Sequence, residues 1–355
     1  MTMIKEIRNK IILFFFPTFF DNFYESMDYV YTAFRYLLLI IAFVVIVFKR
    51  DKIFKFLKIK DNLSQSILSN TITRITLGVL ALYNFMILYN PYNRYQRLEL
   101  NYFPKGILQL LFRELPSYSI FQAIKVIGII FSIFFILGIL EYFSSGIIAV
   151  SLIFFASFNE SIYQDYWGHG LNLQVIVFVT YFLAGGMNGY SISQKEFPNN
   201  LKSSNFTILI LSFSTSLVFL NAFYWKIKNS GIDWALSDNA KYLLLTQRLY
   251  TYKEIEDYIY QIASYPVVYK FLMFGGLMSE LLPIFFIFFI RKPLLRFLTV
   301  VPLALLLISF EYFLLLGGTL SWLLVLITFI DFEYLFKKEK VAYNLPVKTN
   351  KQLFT

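Results

Sequence analysis

Apolar and polar positions along this chain fall into long blocks rather than short alternations. Apolar runs over Tyr29–Phe48, Ser119–Leu140, Phe206–Trp225 and Val267–Phe289 each approach the roughly 20 residues a helix needs to cross a bilayer. The other runs, read the same way, predict nine spans: 29–48, 74–89, 119–140, 146–158, 171–187, 206–225, 267–290, 298–316 and 318–335. Ile11–Phe20, which contains Pro17, is too short to cross and reads as an interfacial or re-entrant segment. The polar blocks between the spans are a basic segment from Lys49 to Lys60, an aromatic loop from Asn90 to Tyr118, a loop from Asn159 to Gly170, and the stretch 226–266. The expected fold class is therefore all-α: a polytopic transmembrane helix bundle of eight to nine spans plus the N-terminal interfacial segment. No internal repeat is visible. The chain divides into 1–70, an interfacial segment with an extra span and a basic loop; 71–336, the main membrane domain; and a tail, 337–355.

Composition agrees with the pattern. Of 355 residues, 58% are hydrophobic and 15% are charged, where a soluble domain carries about 25% charged residues. Aromatic residues make up 20% of the chain, more apolar side chain than a soluble fold of this size would hide. The absence of cysteine excludes disulfides, thiolate catalysis and Cys-ligated metal. With a single histidine, His169, a His-rich metal site is excluded too, so no metal is expected.

The net charge of +10 is read here as loop charge facing anionic lipid, not as a nucleic-acid surface. Nine spans place 49–74, 141–145, 188–205, 291–297 and 337–355 on one side, with 17 Lys and Arg in 75 positions. The opposite loops hold 12 in 112. The richer side is expected to be cytoplasmic. The N-terminus, His169 and the 226–266 stretch then face outward.

Ionisable residues deep in a span are costly and point to function by default. Lys125, Arg35 and Lys270 lie close enough to span ends to snorkel. Glu280 falls near the middle of span seven and Glu311 nearer the end of span eight; each suits a helix-packing contact or a proton-handling group. Asn221 reads as interhelical glue. Lys226, flanked by Tyr224 and Trp225 at a membrane edge, reads either as an interfacial anchor or as a lysine whose apolar surroundings leave a neutral amine able to act as a base. Asp165-Tyr-Trp167-Gly-His169-Gly-Leu-Asn172 leads into span five on the same expected side as Lys226. Phosphate-binding loops, dinucleotide fingerprints, HExxH and GxSxG are absent. Gly185 and Gly189 form a GxxxG suited to close helix packing.

Three stretches resemble the membrane domain of vitamin K-dependent gamma-carboxylases, the HTTM (horizontally transferred transmembrane) family. Thr73-Arg74-Ile-Thr-Leu-Gly78 is similar to the family's Phe-Arg-x-x-x-Gly. Trp167-Gly-His169-Gly-Leu-Asn172-Leu resembles its Asn-His-x-x-Leu at the start of a later helix. Lys226-Ile-Lys-Asn-Ser-Gly-Ile-Asp-Trp234 resembles its Lys followed shortly by Trp. The resemblance implies that Lys226 is the general base acting on reduced vitamin K or another quinone, with His169 in the same chemistry. It implies substrate-binding roles for Trp167, Asn172, Asn221, Trp225 and Trp234, and structural or proton-linked roles for Arg74, Glu280 and Glu311. It places the site on the extracytoplasmic face, in a bacterial cytoplasmic membrane. The chain stops about twenty residues after its last expected span, so the lumenal carboxylase domain is expected to be missing. The alternative is a membrane partner in the maturation or export of a secreted peptide or protein, similar to HTTM-type proteins of sporulation-delaying toxin maturation. A transporter is the third reading; hydropathy shows no discontinuous helix pair to favour it.

Overall fold

The computed structural model describes residues 67–87, 102, 104–112, 114–162, 169–187, 189–190, 192, 201–248, 253–290, 292–313 and 319–336. The expected interfacial segment 11–20, the first span 29–48, Trp167 and the tail lie outside the described residues. Helix dominates, and no strand occurs among the described residues. Five helices are long and apolar enough to cross a membrane: Tyr118–Leu137, Glu141–Ile162, Thr207–Ser230, Pro266–Phe289 and Pro293–Tyr312, with a shorter apolar helix at Leu171–Ala184. This is a helical protein built for a bilayer.

The main elements are α1 (Ile67–Ile87), α2 (Ile107–Leu111), α3 (Tyr118–Leu137), α4 (Glu141–Ile162), α5 (His169–Ala184) and α6 (Leu201–Ser230). Ser117 caps α3 by accepting the Ile120 N–H at 3.5 Å, and Gly138 ends it at φ 72°, a left-handed conformation that glycine adopts without strain. The chain reverses over Gly138-Ile139-Leu140 and begins α4. Between transmembrane helices lipid gives no water-exclusion drive, so close packing has to supply the affinity. Accordingly, Gly128 of α3 lies flat against the Phe85 ring of α1, where a Cβ would meet ring carbons at 2.7 Å. Gly78 of α1 receives Ile136 in the same antiparallel register. Phe121 meets Phe155 at 4.9 Å and Phe135 meets Tyr181 at 4.9 Å, so aromatic residues of α3 tie α4 and α5 together.

The structure lengthens the expected fourth span, 146–158, to 141–162. Its flanking polar residues lowered hydropathy, yet they are satisfied by protein. Ser144, Ser145 and Ser161 donate to carbonyls of Ile139, Tyr142 and Ser157 at 3.0, 2.7 and 2.6 Å. Ser161 and Ser157 also accept the backbone N–H groups of Lys105 and Ile107 at 2.8 and 3.1 Å, seating α2 on α4. Along its apolar length 56% of α4 is buried against 22% of α3, so α4 runs through the interior and α3 along the outside.

The stretch 226–266 is largely helical where a polar loop was expected. The helix of span six continues to Ser230, followed by α7 (Asp233–Leu236), α8 (Asn239–Arg248) and α9 (Lys253–Ser264). On α9, Ile259 and Ala263 are buried while Tyr258 and Tyr260 are exposed, an amphipathic pattern that simple hydropathy averages away. α10 (Pro266–Leu281) gives way to a 3₁₀ segment, Leu282–Phe289, at Pro283, which has no N–H to donate. The Pro283 carbonyl is taken by the Ser216 hydroxyl at 3.1 Å. This discontinuity, directly after Glu280, was not legible in the hydropathy. α11 (Pro293–Leu298) and α12 (Val301–Phe313) form the next span, which starts earlier than expected. The last expected span is broken into α13 (Thr319–Val325), a 3₁₀ turn at Leu326–Phe329 and α14 (Phe332–Phe336), with extended backbone at Ile330.

Side-chain bonds sort the helix ends into two levels. At one, Ser69 donates to Asp331 (3.1 Å), Thr71 accepts from the Tyr190 N–H (2.8 Å), Arg74 meets Glu141 (3.1 Å), Thr207 donates to the Gly186 carbonyl (2.6 Å) and Arg296 donates to the Phe329 carbonyl (3.0 Å). The other end holds the start of α5, the end of α6 and α7–α9. The Gly185–Gly189 pair departs from the helix-packing expectation. Gly185 lies just past α5 at φ 92° and ends that helix, while Gly189 abuts the backbone and hydroxyl of Thr71 beyond it.

Candidate functional site

Lys226 lies near the end of α6 and Glu280 in the last turn of α10. Side chains of a helix lean toward its N-terminus. The two helices run antiparallel, so Lys226 leans into the bundle and Glu280 leans toward the end where α6 finishes. They meet: Nζ of Lys226 donates to Oε1 of Glu280. The Glu280 side chain is 6% exposed and that of Lys226 23%, so the site opens on the lysine side. The indole of Trp234 lies 4.5 Å from the ammonium and covers it. Trp234 comes from α7, the short helix that packs on α10.

The second oxygen of Glu280, Oε2, is buried without a hydrogen-bond partner among the described residues. A buried carboxylate oxygen with an unused lone pair calls for an explanation: a ligand hydroxyl, a proton or water. Near the start of α10, about three turns from Glu280, the Tyr269 hydroxyl donates to Asp238 at 2.5 Å, and Asp238 lies 3.5 Å from Lys270. The hydroxyl first, and the two lysines Lys270 and Lys241 after it, hold the exposed Asp238 carboxyl below its ordinary range.

Lys228, two positions on, faces outward over Trp225 at 4.5 Å and Tyr224 at 5.9 Å. It is Lys228, not Lys226, that makes the aromatic anchor contact. Trp225 is 47% exposed and partners Lys228, so it is turned away from the Lys226 ammonium. The neutral-amine reading of Lys226 assumed apolar surroundings; the side chain instead has a carboxylate beside it.

The other expected residues fall as follows. His169 begins α5, and the antiparallel contacts Thr180–Ser214 (3.3 Å) and Thr207–Gly186 set the α5–α6 register. Followed from 180 back to 169 and from 214 on to 225, that register brings the start of α5 level with Lys226. Asn172 is partly buried one turn further along α5. Asn221 is exposed on α6. Glu311 accepts from the Thr319 hydroxyl at 2.5 Å and ties α12 to α13. Arg74, only 2% exposed, lies at the opposite level, bonded to Glu141 and to the carbonyls of Tyr190 and Ile136.

Sequence reasoning missed Glu141, which gathers Arg74, the Tyr181 hydroxyl and the Met187 N–H (3.0 Å). A carboxylate in the first turn of a helix, just after a glycine turn, was the available signal. It also missed the buried Asn84–Gln174 bond between α1 and α5 and the Asp238–Tyr269 contact. No family model, no curated protein and no solved structure matches the chain.

Proposed function

We propose that this chain is an HTTM-type, vitamin K-dependent carboxylase-like membrane protein that binds a quinone or another lipid-like hydroxyl compound where Lys226, Glu280 and Trp234 meet. The observation that supports this reading is the buried ion pair under an indole, with one carboxylate oxygen left over. An indole face suits a flat ring, the ammonium suits a developing oxyanion, and Oε2 of Glu280 can accept a ligand O–H. Lys226 and Glu280 can also share one proton as ammonium with carboxylate or as amine with carboxylic acid. In the second arrangement Lys226 takes the hydroxyl proton while Glu280 holds its own, and charge is conserved within the site. A bound quinol would supply the acidic hydroxyl and the redox chemistry.

Mass spectrometry of lipids co-purifying with the protein tests the proposal. A quinone or quinone-like lipid should accompany the wild type and Lys228→Ala but be lost from Lys226→Ala and Glu280→Gln. Equal retention in all four would overturn it.

The change from α-helix to 3₁₀ directly after Glu280 favours a second reading, a transporter with its site at a broken helix. Flux in proteoliposomes that survives Lys226→Ala but fails with Glu280→Gln would select it.

A further inference from the structure

The chain that leaves α6 folds back over Lys226. Gly231 ends the helix, its N–H donating to the Ile227 carbonyl at 2.8 Å, and turns the chain at φ 60°, a left-handed value that suits glycine. α7 follows at once and ends at Ser237, whose N–H donates to the Asp233 carbonyl at 2.9 Å. The stretch Gly231–Asp238 is thus one compact turn with Trp234 in its middle. Its seat is shallow: Ala235 is fully buried and Trp234 partly, while Ile232, Asp233 and Leu236 are exposed. Little apolar burial holds the turn down. Its far end is tied by polar contacts instead. The Tyr269 hydroxyl of α10 donates to Asp238 at 2.5 Å, and the Lys270 ammonium lies 3.5 Å from the same carboxylate oxygen. Asp238 is exposed, so water competes for it and the tie is releasable.

Trp234 stands too close to Lys226 for anything to lie between them. The centre of its ring is 4.5 Å from Nζ. A flat ring inserted there would need about 3.5 Å on each face, roughly 7 Å in all. Such a ring reaches the ammonium under the indole only when the indole moves outward. We infer that Gly231–Asp238 is a cover in its closed position, hinged at Gly231 and latched by Asp238 on Tyr269 and Lys270, whose opening admits a flat-ringed ligand to Lys226 and Glu280. Asp238 and Tyr269 are then positioning residues, acting through Trp234 without touching the ligand. What the cover admits rests on reading Lys226 and Glu280 as the binding site; that it is closed and latched does not.

The test is acylation of the purified full chain in detergent by sulfosuccinimidyl acetate, a water-soluble amine reagent, with each lysine followed in time by peptide mass spectrometry. Lys228, two positions on and exposed, is the reference. In wild type Lys226 should react more slowly than Lys228. Asp238→Ala and Tyr269→Phe should each speed Lys226 by at least about threefold, the effect of losing one hydrogen bond, and leave Lys228 unchanged. Trp234→Ala, which removes the roof itself, should do at least as much. Wild-type Lys226 reacting as fast as Lys228, unchanged Lys226 rates in both latch variants, or an equal rise at Lys228 would overturn the cover. Duroquinone, a flat quinone with no free ring position to react with amines, should then protect Lys226 at a lower concentration in Asp238→Ala than in wild type, because a closed cover weakens apparent affinity by the fraction that is open. Equal protection of the two proteins would overturn the cover's part in admission. Protection of neither would overturn the quinone reading and leave the latched cover standing.

Discussion

The ammonium of Lys226 rests on the carboxylate of Glu280, 54 positions later in the chain, in the part of α10 that precedes its turn into 3₁₀ geometry. Two helices remote in the chain are thereby joined through one ion pair. Such a pair is stabilising only as a pair: taking ions out of water is costly, and removing one partner leaves the other uncompensated.

Single removal should therefore cost more than double removal. Lys226→Met or Glu280→Leu each should destabilise the protein by about 3 kcal/mol, and the double variant by less than either. Thermal unfolding in detergent across the four proteins gives the coupling. Additive losses would mean that the two side chains act independently.

Packing of α1 on α3 should be equally sharp. A Cβ at position 128 would lie 2.7 Å from the Phe85 ring, which is itself only 3% exposed. Gly128→Ala should cost about 1–3 kcal/mol through overpacking. Pairing it with Phe85→Leu should recover part of the loss, measured as melting temperature, because the smaller side chain vacates the contested volume. A Gly128→Ala protein as stable as wild type would show that the helices shift apart freely.

Acid should loosen the second end of the bundle. Asp238 is held below its ordinary range mainly by the Tyr269 hydroxyl, then by Lys270. A carboxylate with a depressed folded value stabilises the fold above its unfolded value, about 3.9. That contribution is lost as pH falls through the lower folded value. Melting temperatures between pH 7 and pH 3 should fall less steeply in Tyr269→Phe than in wild type. Identical slopes would remove Asp238 from the account.

Sidedness can be read with single cysteines, since the native chain has none. Lys228 and Lys292 are both exposed, at opposite levels of the bundle. In intact cells a membrane-impermeant thiol reagent should label Lys228→Cys and spare Lys292→Cys, which should react only after the membrane is opened. The reverse pattern would invert the orientation expected from loop charge.

Much of the molecule was legible before any coordinates. Long apolar blocks dictate membrane helices because each residue contributes its own transfer free energy, and such terms add locally along the chain. The runs at 118–137, 207–230, 266–289 and 293–312 were therefore found within a few residues. Glu280 and Glu311 stood out for the same reason, an unfavourable transfer cost that must be met somehow.

What the sequence could not supply was the partner that meets each cost. That Glu280 faces Lys226, that Arg74 faces Glu141 and that Asn221 stands exposed depend on packing between residues remote in the chain. Helix ends shift for the same reason: Ser144, Ser145 and Ser161 are polar by transfer energy but satisfied by neighbouring carbonyls, so α4 extends past its apolar run. Burial against lipid is a property of one residue and can be summed from composition. Burial against protein is a property of pairs, and only the tertiary structure states which pairs form.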